Sequence, residues 1–180
     1  MKPVLCGIFS LVVLIGLTAA CGADTVALAK LKPDGAPATL AGVCVTAVYD
    51  DSLYVQSPGS HCGLRVRLPG HAAAIGDLVN ASGVMSTLST GERFLQADAV
   101  TPSGQSLVQP VWLRTRDVGG GDWSFDPGTG AGQRGIPGGA GLNNVGLLIS
   151  VAGKVTETGT DWFAVDDGSG SPGDSGAGGL

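Results

Sequence analysis

Beyond residue 20 no apolar run continues for long, because Gly, Pro, Asp or Ser interrupts the chain every 8 to 12 residues and the runs between are rich in Val and Leu. An amphipathic helix needs a longer stretch with apolar positions three and four apart, so this punctuation selects short strands joined by turns. The 31 glycines and 10 prolines supply the turns, and hydrophobic residues at 43% suffice for a packed core. A length of 180 residues admits one ordinary domain or two small ones and excludes a large multidomain enzyme. Charged residues are only 14% and the net charge is -5, which argues against a strongly basic protein that grips DNA through bulk electrostatics.

The first 20 residues are written differently. Lys2 precedes the apolar stretch Val4 to Ala20, and small residues follow, the pattern of a secretory signal peptide ending at residue 20 or as late as 23. An uncleaved membrane anchor is the competing reading, since this stretch is at the lower limit for spanning. Ala19-Ala20-Cys21 also resembles the end of a lipobox, which would make Cys21 a lipidation site, although Thr18 stands where Leu is usual. All these readings take the chain out of the cytoplasm, to the cell envelope or the medium, and involve a membrane only through the leader or a lipid. In that oxidising setting Cys44 and Cys62 form a candidate disulfide.

The strand pattern is regular from Pro37 onward. Pro37 to Tyr49, Ser52 to Gln56 and Gly63 to Leu68 read as a three-strand meander, with a turn at Asp50-Asp51. His71 to Ile75 is a short helical candidate. Leu78 to Leu88 and Arg93 to Val100 then complete five strands, and five strands with a small helix between the third and fourth is the order of an OB-fold barrel. A shift of 110 positions lays Val45-Thr46, Asp51 and Val55 on Val155-Thr156, Asp161 and Val165, the start of a second copy. That copy stops where its third strand should begin, so Leu147 to Val165 is expected to pack on the first barrel or to be poorly ordered, or the chain is a truncated product. Between the two lies Gly119 to Gly141, with ten glycines in 23 residues, which composition makes a loop or connector, while the punctuation DPGTGAG and GGAGLNN suits ordered turns; both readings stay open. The sequence therefore predicts an all-β protein: a five-stranded OB-fold-like barrel over 27–104, a Gly-rich connector over 105–141 and an incomplete second OB-like unit over 142–180.

The landmarks GVCVTAV, SLYVQSP, GLRVRL, IGDLVNASGVM and FLQADAV, within residues 31–104, resemble the OB-fold modules of bacterial secreted proteins, including those attached to extracellular nucleases. GGAGLNNVGLLISVAGKVTETGTDWFAVDDGSG is similar to the repeat unit of tandem OB-like proteins of environmental bacteria. The resemblance implies a binding module or appendage; the nuclease catalytic domain itself has no counterpart in this chain.

In an OB barrel the outer face of strands 2 and 3 is the usual ligand surface. If Leu53, Val55, Leu64, Val66 and Leu68 face the core, alternation turns Tyr54, Arg65 and Arg67 outward together, with His61 and Arg93 as candidate borders. A base could stack on Tyr54 while the arginines meet phosphate, and the same trio could hold a sugar acid. The plainer alternative is that the arginines keep a sheet soluble and Tyr54 covers a neighbour. Removing the leader takes away Lys2 and leaves a net charge of -6, so any nucleic-acid binding is expected to be weak and salt-sensitive.

Three further motifs carry chemistry. Asp166, Asp167 and Asp174 could collect oxygen ligands for Ca2+, although their spacing matches no EF-hand loop. Asn80-Ala81-Ser82 is an acceptor sequon relevant only to a eukaryotic secretory route, and lies inside a predicted strand. Gly173-Asp174-Ser175-Gly176 reproduces the nucleophile segment of trypsin-like proteases, with Ser175 as nucleophile and His61 as base, yet only four residues follow Gly176. No cofactor motif is present. The expected function is an exported, non-catalytic OB-fold module that binds single-stranded nucleic acid or an anionic oligosaccharide. The alternatives are a structural module that pairs with itself or a larger surface protein through an exposed strand edge, and a serine hydrolase.

Overall fold

The computed structural model describes residues 22–59 and 61–170, so the apolar leader and residues 171–180 lie outside the description. The chain is nearly all β. Strands β1 (Pro37–Val48), β2 (Ser52–Gln56), β3 (Gly63–Arg67), β4 (Asp77–Thr87) and β5 (Arg93–Gln105) close into a barrel in the order β1-β2-β3-β5-β4. Neighbours are antiparallel except β3 and β5, which run parallel. Short turns make β1–β2, β2–β3 and β4–β5 adjacent, whereas the longer link 68–76 lets β4 start beside β1 and leaves β5 to close the ring on β3.

β1 must change partners along its length, from β4 to β2. The hand-over falls at Cys44, which pairs with both, just beyond a bulge where the β1–β4 register slips between Leu40 and Val43. Gly42 takes φ 59° there, a left-handed value that a side chain would disfavour, and its N–H donates to Asn80 Oδ1 at 2.9 Å. The sequon asparagine thus fastens the bend.

Alternation along the strands sends Leu53 and Val55, Leu64 and Val66, and Leu95 and Ala97 into one core with Leu40, Val43, Val45, Val79, Ala81 and Met85. A five-residue helix, α1 (Val26–Lys30), adds Val26 and Ala29 to that core; Thr25 Oγ1 caps it by accepting from the Leu28 N–H at 3.1 Å. The helical expectation fell elsewhere, on His71 to Ile75, and is corrected here. That segment has no regular structure and then turns: the Asp77 carboxylate takes the Ala74 N–H at 2.8 Å, and Gly70 and Gly76, both at positive φ, bound it with left-handed backbone that a helix does not continue through.

The Gly-rich stretch is built, not loose. Trp123 and Gln133 exchange both backbone hydrogen bonds at 2.8 Å, and Asp126 closes the turn between them by accepting from Gly128 and Thr129. The stretch docks through backbone: Gly132 N–H donates to Lys30 C=O at 2.8 Å, and Asp34 N–H to Thr129 C=O at 2.9 Å. Gly139 is needed for space, because a Cβ there would lie 2.2 Å from the Gly120 carbonyl oxygen.

Downstream, β6 (Val111–Trp112) runs parallel to β7 (Ile149–Ser150), and β8 (Lys154–Thr158) forms a hairpin with β9 (Phe163–Asp166). Residues 154–163 are all exposed, among them Trp162 and Phe163. Of the span Leu147 to Val165, expected to pack on the barrel or to lack order, Leu148 meets β2 through Gln56 and residues 154–163 are exposed, while Ala164 is buried.

Candidate functional site

The pairing register makes the outer face of β2 and β3 concrete. Tyr54 stands opposite Arg65, and Arg65 in turn opposite Phe94 of β5; Ser52 stands opposite Arg67, and Gln56 opposite Gly63. Phe94 is buried yet is no member of the interior core, as its outward parity beside Leu95 requires. Arg65 therefore stands between Tyr54 and Phe94 in one cross-strand row. Sequence reasoning missed Phe94 because a parallel β3–β5 contact was needed to bring it there.

Each polar end of this row is held. The Tyr54 hydroxyl donates to Glu92 Oε1 at 2.6 Å, and burial together with that carboxylate keeps the phenol protonated well above its ordinary range. Arg65 donates through Nε and Nη2 to Ser52 Oγ at 3.2 and 3.0 Å, while Ser52 donates onward to Asp51 Oδ1 at 2.9 Å. Arg65 also lies 3.6 Å from Asp51 and 3.7 Å from Glu92, and Arg67 Nε 3.3 Å from Asp51. The Ser52 hydroxyl, then Arg67 and Arg65, hold the Asp51 carboxyl below the usual carboxylate value. Two guanidinium groups thus face two carboxylates, and the patch as a whole is close to neutral.

Beside it is a cleft of about 300 Å³ floored by Thr46 and Ala47 and walled by Tyr49, Tyr54, Leu147 and Leu148. The two tyrosine rings meet edge to face, centroids 6.0 Å apart at 72°. The far wall is the chain's own strap, Val145–Leu148, laid over the other end of the β2–β3 face. Gly63 permits it: a Cβ at this position would lie 1.9 Å from the Gly146 carbonyl oxygen. Leu148 N–H reaches Gln56 Oε1 at 3.4 Å, and the Lys30 ammonium donates to Val145 C=O at 2.8 Å. Burial lowers the Lys30 amine to about 8.

The remaining expected residues fall elsewhere. Arg93 does not border the patch: it is fully buried, its parity matching Leu95 and Ala97, and its guanidinium reaches Asp34 Oδ1, Thr87 Oγ1 and the Lys32 carbonyl. His61 is exposed in the β2–β3 turn, at the strap-covered end and so away from Arg67. His71, given no role from sequence, sets its Nε2 3.0 Å from Tyr49 C=O and 3.2 Å from Ser52 C=O, bracing the β1–β2 turn.

Cys44 and Cys62 are both free, which overturns the disulfide. Cys44 pairs with Gln56, which pairs with Gly63, so β2 separates the two cysteines by about two strand spacings, or ~10 Å, too far for a bridge. The Cys44 thiol instead points at the Ser106 carbonyl at 3.3 Å, and Cys62 packs against the core; burial pushes both thiols up.

Asp166 and Asp167 serve as structural acceptors. Asp167 accepts from the Thr115 N–H and hydroxyl and from the Ser169 N–H, ties the hairpin to the preceding segment, and is held well below the usual carboxylate range by Ser169 and Thr115. Asp166 accepts from the Gly168 N–H at 2.8 Å. No group of three or more His, Cys, Asp or Glu among the described residues has metal-site geometry. Asp174, Ser175 and Cys21 lie outside the described residues. Among the described residues no helix is long and apolar enough to cross a membrane. No family model, curated protein or solved structure matches the chain.

Proposed function

We propose that the protein is an exported, non-catalytic OB-fold module that binds an oligosaccharide on the outer face of β2 and β3. The five-stranded ring with its parallel β3–β5 contact supports the OB-fold reading. The single observation that carries the ligand class is the neutral Tyr54–Arg65 row beside the Tyr49–Tyr54 cleft. Aromatic walls suit the apolar face of a sugar ring, and fixed guanidinium and carboxylate groups suit its hydroxyls, which donate and accept. An acidic sugar fits by exchanging its carboxylate for Asp51 against Arg65 and Arg67.

Single-stranded nucleic acid fits less well. It presents one phosphate per nucleotide to arginines that already have carboxylate partners, in a chain of net charge -5. The assembly reading has one observation in its favour, the exposed β8–β9 hairpin, whose outer edges pair with no other strand among the described residues.

The test is a titration of the mature protein with neutral and acidic oligosaccharides, oligo-dT and oligo-U, at low and physiological salt. Saturable, largely salt-independent oligosaccharide binding is expected, with Tyr54→Ala losing about tenfold in affinity, or ~1.4 kcal/mol. Binding of the nucleic acids alone, or oligosaccharide binding unchanged in Tyr54→Ala, would sink the reading.

A further inference from the structure

A second groove, of about 490 Å³, lies between the β4–β5 turn and the Gly-rich stretch. Its walls carry Asp34, Thr87, Ser89, Asp122, Phe125 and Arg134. The barrel side is rigidly backed. Arg93, fully buried, binds Asp34 Oδ1 and Thr87 Oγ1 from beneath, and Gln133, also fully buried, accepts from the Arg93 N–H at 3.2 Å while donating to the Gly91 and Arg134 carbonyls at 3.1 and 2.9 Å. The two sides are thereby stitched together.

The polar groups facing the groove are half used. Asp34 engages Arg93 and Thr87 through Oδ1, while Oδ2, beside Gly130, has no hydrogen-bond donor among the described residues. Asp122 accepts from the Gly135 N–H through Oδ1 at 2.8 Å, again leaving Oδ2. Arg134 is exposed and has no carboxylate within 4.0 Å among the described residues. Counting Arg93 behind Asp34, two carboxylates face two guanidinium groups, so the groove, like the Tyr54 row, selects a ligand with no dense charge. Open carboxylate oxygens need donors, the free guanidinium needs acceptors, and the half-buried Phe125 offers an apolar plane. Sugar hydroxyls and ring faces supply all three.

One turn joins this groove to the first site. Gly91 lies against the Arg134 side chain, and the next residue, Glu92, holds Tyr54 and Arg65. We infer that the Asp34–Phe125–Arg134 groove is a second saccharide subsite, and that the ligand is an oligosaccharide chain long enough to cross the β4–β5 turn and occupy both. This rests on the oligosaccharide reading above and adds to it the length of the ligand and the residues at its other end.

The test compares a disaccharide and a hexasaccharide of β-1,4-linked N-acetylglucosamine, with the glucose and galacturonate series beside them, on the parent, Tyr54→Ala, Phe125→Ala and Arg134→Ala. Arg134→Ala keeps the readout safe from misfolding, since the side chain is exposed and holds no ion pair. In the parent, the hexasaccharide should bind about tenfold tighter than the disaccharide in at least one series. Phe125→Ala and Arg134→Ala should remove that gain and leave the disaccharide affinity unchanged, whereas Tyr54→Ala should weaken both. Hexasaccharide affinity unaltered by the two groove variants overturns the second subsite while the Tyr54 reading stands. No binding of any oligosaccharide overturns both.

Discussion

The barrel and the Gly-rich stretch are held together in opposite ways. In the barrel, Leu40, Leu53, Leu64 and Leu95 are fully buried and the backbone pairs strand to strand. In residues 119–141 only Gly119, Gly120, Gly130, Gly132 and Gln133 are buried, and order comes from backbone meeting backbone and from Gln133, Asp122 and Asp126. Low hydrophobicity in the second region therefore marks a different kind of packing. It depends on the barrel for partners such as Lys30, Asp34 and Arg93, so its order should fall with the barrel's, and the reverse should not hold.

Leu64→Ala should have the largest effect, about 2–5 kcal/mol by urea denaturation, with both regions losing structure in one transition. A separate, earlier transition for the barrel alone would break the dependence.

Lys30 joins the two regions, its carbonyl accepting from the Gly132 N–H, and its ammonium reaches beyond them to the Val145 carbonyl of the strap. Its folded value of about 8 lies below the ordinary 10.5, so between these pH values the unfolded chain holds more protons and stability rises with pH; below about 8 the effect is absent. Against Lys30→Met, which cancels the titrations common to both proteins, the parent should gain up to about 3 kcal/mol from pH 8 to pH 10.5. A constant difference across that range would remove the buried ammonium from the account.

Gln133→Ala leaves the Arg93 N–H and the Gly91 and Arg134 carbonyls without their partner. A loss of about 1–3 kcal/mol is expected, with amide exchange accelerating in 119–141 well before β1 to β5. Uniform acceleration would mean that the two regions are one cooperative unit. The mildest change is Asp167→Asn, which should speed exchange in β8 and β9 and nowhere else; the same loosening should follow acidification only well below the usual carboxylate range, since the folded carboxyl is held low.

What the sequence made legible follows the same division. The ends of β2 read directly from SLYVQ between turn residues, and β1, β3 and β4 lie within a residue of their expected limits. β5 runs on past its expected end at Val100, as far as Gln105, because β4 offers Asp77 to Asn80 as partners and Pro102 falls at a register slip. Tyr54, Arg65 and Arg67 follow from alternation alone. The same parity rule, applied to Arg93 against Leu95, would have turned that arginine inward. Phe94, the Gly63–Gly146 contact and the Phe125 groove depend on pairings between distant segments, which local pattern does not carry.

The most direct measurement is a titration of 15N-labelled protein with the saturating oligosaccharide, read as amide shift changes. The account predicts changes concentrated in Ser52–Gln56, Gly63–Arg67 and the Glu92 turn, with the strap at Gly146–Leu148 responding alongside and, for a ligand long enough to cross the turn, Asp34, Phe125 and Arg134 as well. Changes confined to the β8–β9 hairpin, or none at saturating ligand, would contradict it and favour assembly through the exposed strand edge.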